Sequence, residues 1–98
     1  MVDKKKNLSV TGKSGLEPLD NCKIAVITSE WNQEITYSMR DVCIHELSKY
    51  GCNDDDIISA TVPGAFELPS AAKMMLSNKK LDAVICIGCV IKGETKHD

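Results

Sequence analysis

Short apolar runs alternate along this chain with stretches whose apolar positions recur at helical spacing. Ile24, Ala25, Val26 and Ile27 form one continuous run, Ile57–Val62 a second and Ala83–Ile87 a third. Runs of this length, rich in β-branched residues, read as buried strands, here over 23–28, 57–62 and 83–87. A strand apolar on both faces belongs in the middle of a sheet with helices on both sides, and the third run is expected there. Between the first two strands, Ile35, Met39, Val42, Cys43, Leu47 and Tyr50 recur at the period of a helix, and Gly51 follows as its cap. Between the last two, Leu68, Ala72, Met75 and Leu76 make a second stripe, with Pro69 in the first turn and Asn78-Lys79-Lys80 at the end.

The order β-α-β-α-β has a topological consequence. Each crossover is right-handed, so the strands are parallel neighbours in one sheet and all leave it on the same side. Ligands of such sheets sit beyond the carboxyl ends of the strands. Three loops therefore share one rim: Ser29–Asn32, Val62–Glu67 and Gly88–Asp98. They bring Trp31, Asn32, Phe66, Glu67, Lys92, Glu94, Thr95 and His97 into one region.

Composition narrows the classes. A length of 98 residues bounds the chain to one small domain. Residues 1–20 lack periodicity and read as a flexible arm, in which Leu8-Ser9-Val10 is at most a short edge strand, leaving 21–98 as the α/β domain. A formal charge of -2 gives no electrostatic case for nucleic acid or an acidic membrane surface. No apolar run approaches the roughly 20 residues of a membrane span, and the start lacks the apolar core of a secretion signal, so a cytoplasmic protein is expected. Five cysteines, an odd number, read as reduced thiols.

Several motifs dissolve on inspection. Thr11-Gly12-Lys13-Ser14-Gly15 lacks the earlier glycine, the strand and the following apolar helix of a phosphate-binding loop. Asp54-Asp55-Asp56 lacks the spacing of a calcium loop and reads as a solvated turn. Cys86 and Cys89 are three apart along a strand, which points the two thiols to opposite faces, and no second pair completes a metal site.

At the rim, Trp31 is either a cap over the sheet edge or a platform for a flat ring. Phe66 follows Pro63-Gly64-Ala65 and faces either the core or the rim, the core being the favoured side. Glu67 at a helix N-terminus is favoured by the dipole, with or without a ligand. His97, among Lys92 and Lys96, suits proton transfer near neutrality. Gly93-Glu94-Thr95 offers backbone N–H groups to a phosphate where a helix follows.

Three motifs then fall together: IAVITSEWNQEIT at 24–36, VPGAFELP at 62–69 and DAVICIGCVIKGETKH at 82–97. In this order and spacing they resemble the lumazine synthase family over roughly residues 22–97. The resemblance implies a flavodoxin-like α/β three-layer sandwich with a central parallel sheet, here ending after the third core strand. It implies condensation of 5-amino-6-(D-ribitylamino)uracil with 3,4-dihydroxy-2-butanone 4-phosphate, without metal or redox cofactor. It also implies a homopentamer or a larger shell, with sites between adjacent subunits. By motif, Trp31 is similar to the aromatic that stacks on the pyrimidine. Ala65, Phe66 and Glu67 match the segment that binds the ring and ribityl chain, and Cys89, Val90 and Ile91 the backbone that reads the pyrimidine edge. Glu94 and Thr95 match the phosphate-binding turn, and His97 the proton-transfer histidine. A non-catalytic flavin- or pterin-binding module and a shell-forming subunit are the alternatives.

The chain departs from the family in two ways. Asp98 stands where an aromatic usually follows the histidine, and Cys89 where a small residue such as Thr or Ala is common. The family also continues with elements that supply a phosphate-binding cation and an aromatic for the neighbouring site. The 98 residues are accordingly expected to be part of a longer protein and, alone, to be poorly soluble and weakly active or inactive.

Overall fold

The computed structural model describes residues 18–78 and 80–92. Strand β1 runs Ile24–Ser29, helix α1 Gln33–Lys49, strand β2 Ile57–Val62, helix α2 Leu68–Asn78 and strand β3 Ala83–Ile87. One-turn 3-10 helices at Asp54–Asp56 and Ala65–Glu67 lead into β2 and α2. Residues 1–17, with the edge strand considered at Leu8-Ser9-Val10, and residues 93–98 lie outside the described residues.

The three strands form one parallel sheet in the order β2-β1-β3. Ile24 lies opposite Ile57 on one side and Ala83 on the other, and Thr28 opposite Thr61 and Ile87. The connection through α1 leaves β1 in one direction, and the connection through α2 passes back over β1 in the other. Two right-handed crossovers running in opposite directions place their helices on opposite faces. This gives the layered α/β arrangement of flavodoxin-like folds. It also explains why all six residues of β1 are buried.

Here one expectation is corrected. The strand in the middle is β1, whereas β3 lies at an edge among the described residues, with Ala83 and Cys86 exposed. An apolar run identifies a strand but not its rank in the sheet. Rank follows from the direction of each crossover, which a local pattern does not carry.

The stripe of α1 is also rotated from its expected facing. Cys43, Ile44 and Leu47 pack against the core with Ile24, Val26, Cys52 and Ile87, while Ile35, Met39 and Val42 are exposed. Thr36 is the one buried residue of the helix. Its hydroxyl donates to the Ser29 carbonyl at 2.7 Å, on the same inward side of the helix as Cys43 and Leu47. At the other end Gly51 takes φ 105°, a left-handed value that favours glycine. The following N–H of Cys52 donates to the Leu47 carbonyl at 3.0 Å, closing the helix as Gly51 predicted.

Candidate functional site

At the carboxyl ends of the strands the first two loops are bound to each other through the backbone. Past Ser29 the Glu30 N–H donates to the Val62 carbonyl at 2.8 Å, and the Trp31 N–H to the Pro63 carbonyl at 3.0 Å. Thr61 reinforces the junction by donating its hydroxyl to Glu30 Oε2 at 3.0 Å. The exit of β1 is thereby bound to the exit of β2, and Trp31 is held by its backbone while its ring stays 72% exposed.

Asn32 reverses the chain into α1 with φ 64° and ψ 45°, a left-handed conformation that asparagine tolerates better than most residues. Its carbonyl accepts the N–H groups of Ile35 at 2.9 Å and Thr36 at 3.0 Å. Its side chain makes no capping bond to the helix.

The second loop is a self-braced turn. The Gly64 N–H donates to Glu67 Oε1 at 2.9 Å, and the Glu67 N–H to the Gly64 carbonyl at 3.1 Å. Glu67 therefore has a structural duty on one carboxylate oxygen, in addition to its place ahead of α2. Phe66 corrects an expectation: its ring is 90% exposed and faces the rim. The core position is taken by Leu68, which is buried two residues further on. In a 3-10 turn, residues two apart point in different directions, so Phe66 and Leu68 do not share the core.

The third loop is drawn in by Gly88. A Cβ there would stand 2.8 Å from Leu68 Cδ1 and 3.2 Å from Ala65 Cβ, so a bare backbone lets the exit of β3 lie against the Ala65–Leu68 turn. Cys89, Val90 and Ile91 follow beyond the ladder, which ends at Ile87.

Together these loops enclose a cleft of about 610 Å³, inside the range of small-molecule sites. Trp31 and Asn32 come from the first loop, Pro63 to Glu67 from the second and Cys89 to Ile91 from the third. The lining is mostly apolar, and Glu67 is its only charged side chain among the described residues. A flat heterocycle fits such a surface, with a ring to stack on and a few polar groups to orient it. Of the residues singled out from the sequence, Trp31, Ala65, Phe66, Glu67, Cys89, Val90 and Ile91 all line this cleft. Glu94, Thr95 and His97 lie outside the described residues. Asn32, Pro63 and Gly64 also line it without having been assigned roles. Their signal was position alone, since each adjoins a residue already marked.

A shallower depression of about 400 Å³ lies at the opposite, amino ends of the strands, beside Lys23, Lys80 and Asp82.

Two thiols near the core are shifted. Burial pushes the Cys43 thiol above its ordinary value. Burial also raises the Cys52 thiol, with further contributions from Asp56, Cys22 and Asp54. Neither residue lines the cleft.

Residues 21–98 match the family model described as 6,7-dimethyl-8-ribityllumazine synthase. Similar proteins carrying that name occur in Bacteroides fragilis, 45% identical over 76% of this chain and 52% of that protein, and in Phocaeicola vulgatus, 40% identical over 93% and 54%. Another, in Flavobacterium psychrophilum, is 42% identical over 99% of this chain and 51% of that protein. The chain spans about half the length of the curated relatives it matches. With the parallel sheet, the shared rim and a match across nearly the whole described fold, the chain belongs to the 6,7-dimethyl-8-ribityllumazine synthase family.

Proposed function

We propose that the complete protein condenses 5-amino-6-(D-ribitylamino)uracil with 3,4-dihydroxy-2-butanone 4-phosphate to form 6,7-dimethyl-8-ribityllumazine, the penultimate step of riboflavin biosynthesis. The observation that carries this reading is the single cleft to which all three strand exits contribute, with an exposed indole on one wall and the Cys89–Ile91 backbone on another.

In the proposed site the Trp31 indole stacks on the pyrimidine, and Ala65, Phe66 and Glu67 hold the ring and ribityl chain. The backbone of Cys89, Val90 and Ile91 reads the polar edge of the ring. Glu94 and Thr95 take the phosphate, and His97 moves protons. The amine of the pyrimidine attacks the ketone, and water leaves to give an imine. Phosphate is then eliminated, and attack by the second nitrogen closes the ring with loss of another water. The sequence has no net oxidation, and every step transfers a proton. One imidazole working near neutral pH can serve as both acid and base. Holding two substrates in register supplies much of the remaining acceleration.

The domain of residues 21–98 is proposed to work in the cytoplasm within a homopentamer or larger shell, with neighbouring subunits completing each site. The decisive experiment is His97→Ala in the full-length protein. Slowed lumazine formation with riboflavin binding intact supports the enzyme. A wild-type protein that binds riboflavin but forms no lumazine would instead establish a non-catalytic flavin- or pterin-binding module.

A further inference from the structure

We infer that Thr36 is a positioning residue for the cleft: its buried hydroxyl fixes the three-residue loop that carries Trp31 and Asn32. This rests on the proposed stacking role of Trp31.

A threonine within a helix ordinarily turns its hydroxyl to the carbonyl four residues back. Thr36 has that option, but its hydroxyl is 3.5 Å from the Asn32 carbonyl and only 2.7 Å from the Ser29 carbonyl. The short bond thus reaches back across the loop to the last residue of β1. Ser29 lies past the end of the β1–β3 register, which stops at Thr28 opposite Ile87. The Thr36 backbone N–H simultaneously donates to the Asn32 carbonyl at 3.0 Å. One fully buried residue therefore ties the start of α1 to both ends of the loop Glu30–Asn32.

The Trp31 ring depends on this tie because it has little packing of its own. At 72% exposure its place is set by the backbone on either side. On one side stand the two bonds to Val62 and Pro63, and on the other stands Thr36. Asn32, held in a left-handed conformation, is the pivot between them. Without the hydroxyl, the helix end of the loop loses its connection to the sheet, and the ring loses its fixed distance from the Cys89–Ile91 wall.

Trp31 is the only tryptophan of the 98 residues, so in a full-length protein without further tryptophans its fluorescence reports the loop directly. Where the remainder of the protein contains others, they are first replaced by Phe. Thr36→Val keeps the shape and removes the donor, and Thr36→Ser keeps the donor. Thr36→Val is expected to raise the acrylamide quenching constant of Trp31 at least twofold and lower its anisotropy. It should also weaken binding of riboflavin, the flat-ring probe, about tenfold, whereas Thr36→Ser stays near wild type in all three readings. Should Thr36→Val fail to fold, Thr36→Ala is the second donor-free variant and is read identically. A folded donor-free variant with wild-type quenching and anisotropy overturns the inference. A wild-type protein whose Trp31 emission is untouched by bound riboflavin removes the stacking role, and quenching and anisotropy then decide the role of Thr36 alone.

Discussion

At the amino ends of the strands, the polar groups satisfy one another. Lys23 and Asp82 exchange two bonds, the Asp82 N–H donating to the Lys23 carbonyl at 2.7 Å and the Lys23 N–H to Asp82 Oδ2 at 2.8 Å. The Lys23 ammonium reaches Asp56 at 3.2 Å, and the Ser48 hydroxyl reaches Asp54 at 3.1 Å. Beneath them Cys52 is buried beside Cys22. At the carboxyl ends the loops are bound by backbone bonds, but Trp31, Phe66, Val90 and Ile91 are left exposed around a cleft. The same three strands thus end in a base of mutually bonded polar groups and a rim of exposed apolar ones. Apolar side chains left in water cost free energy unless something covers them, and the two ends of the described sheet differ in this respect.

The comparison can be broken in several ways. The largest effect is expected from Ile27→Ala at the centre of β1. Ile27 is fully buried, and truncations of this kind cost about 2–5 kcal/mol. Urea unfolding of the full-length protein should show it, and an unchanged midpoint would deny β1 its central place.

Gly88→Val comes next. Its new Cβ must displace Leu68 or Ala65, and overpacking of this sort costs about 1–3 kcal/mol. Riboflavin binding should fall as well, because the wall made by Cys89–Ile91 moves away from the second loop. A variant that loses stability yet binds normally would show that the third loop is placed by something other than Gly88.

A smaller effect belongs to the base. Burial raises the Cys52 thiol above its ordinary value of 9.0, so folding favours the neutral form. That contribution is fully present below pH 9.0 and is lost as pH rises from there through the higher folded value. Melting temperatures from pH 7 to 10.5 should decline less steeply in Cys52→Ala than in wild type. Equal slopes would mean that Cys52 is not buried as a thiol.

The smallest change in stability is expected for Phe66→Ala. A side chain 90% exposed contributes little to the core, and its removal should shift stability by no more than about 0.5 kcal/mol. Riboflavin should nevertheless bind more weakly. A large loss of stability would place Phe66 in an interface or core and blur the distinction between base and rim.

Much of this fold was legible from local pattern. The three strands and two helices fall within a residue or two of where apolar spacing, Pro63-Gly64, Pro69 and Gly51 put them, because these signals act on neighbours in sequence. Parallel pairing followed from handedness, and with it the common rim. Facing was harder to read. Ile35, Met39 and Val42 match a helical period as well as the inward residues do, and the facing is seen only in the packing of Cys43, Ile44 and Leu47 on the core and the bond from Thr36 to Ser29. The sequence leaves Phe66 open to core or rim with the core favoured, yet Leu68 takes the buried place and Phe66 stays exposed.

The sequence by itself determined which segments are strand and helix, and which residue types stand at the strand exits, since both depend on contacts a few residues apart. The tertiary structure alone decided that β1 rather than β3 is the middle strand among the described residues, that the Trp31 loop is bound to the exit of β2, and that Gly88 lets the third loop close against the second. These depend on contacts between residues far apart in the chain, where strand order and the clearance around a missing Cβ are set by packing and leave no local signature.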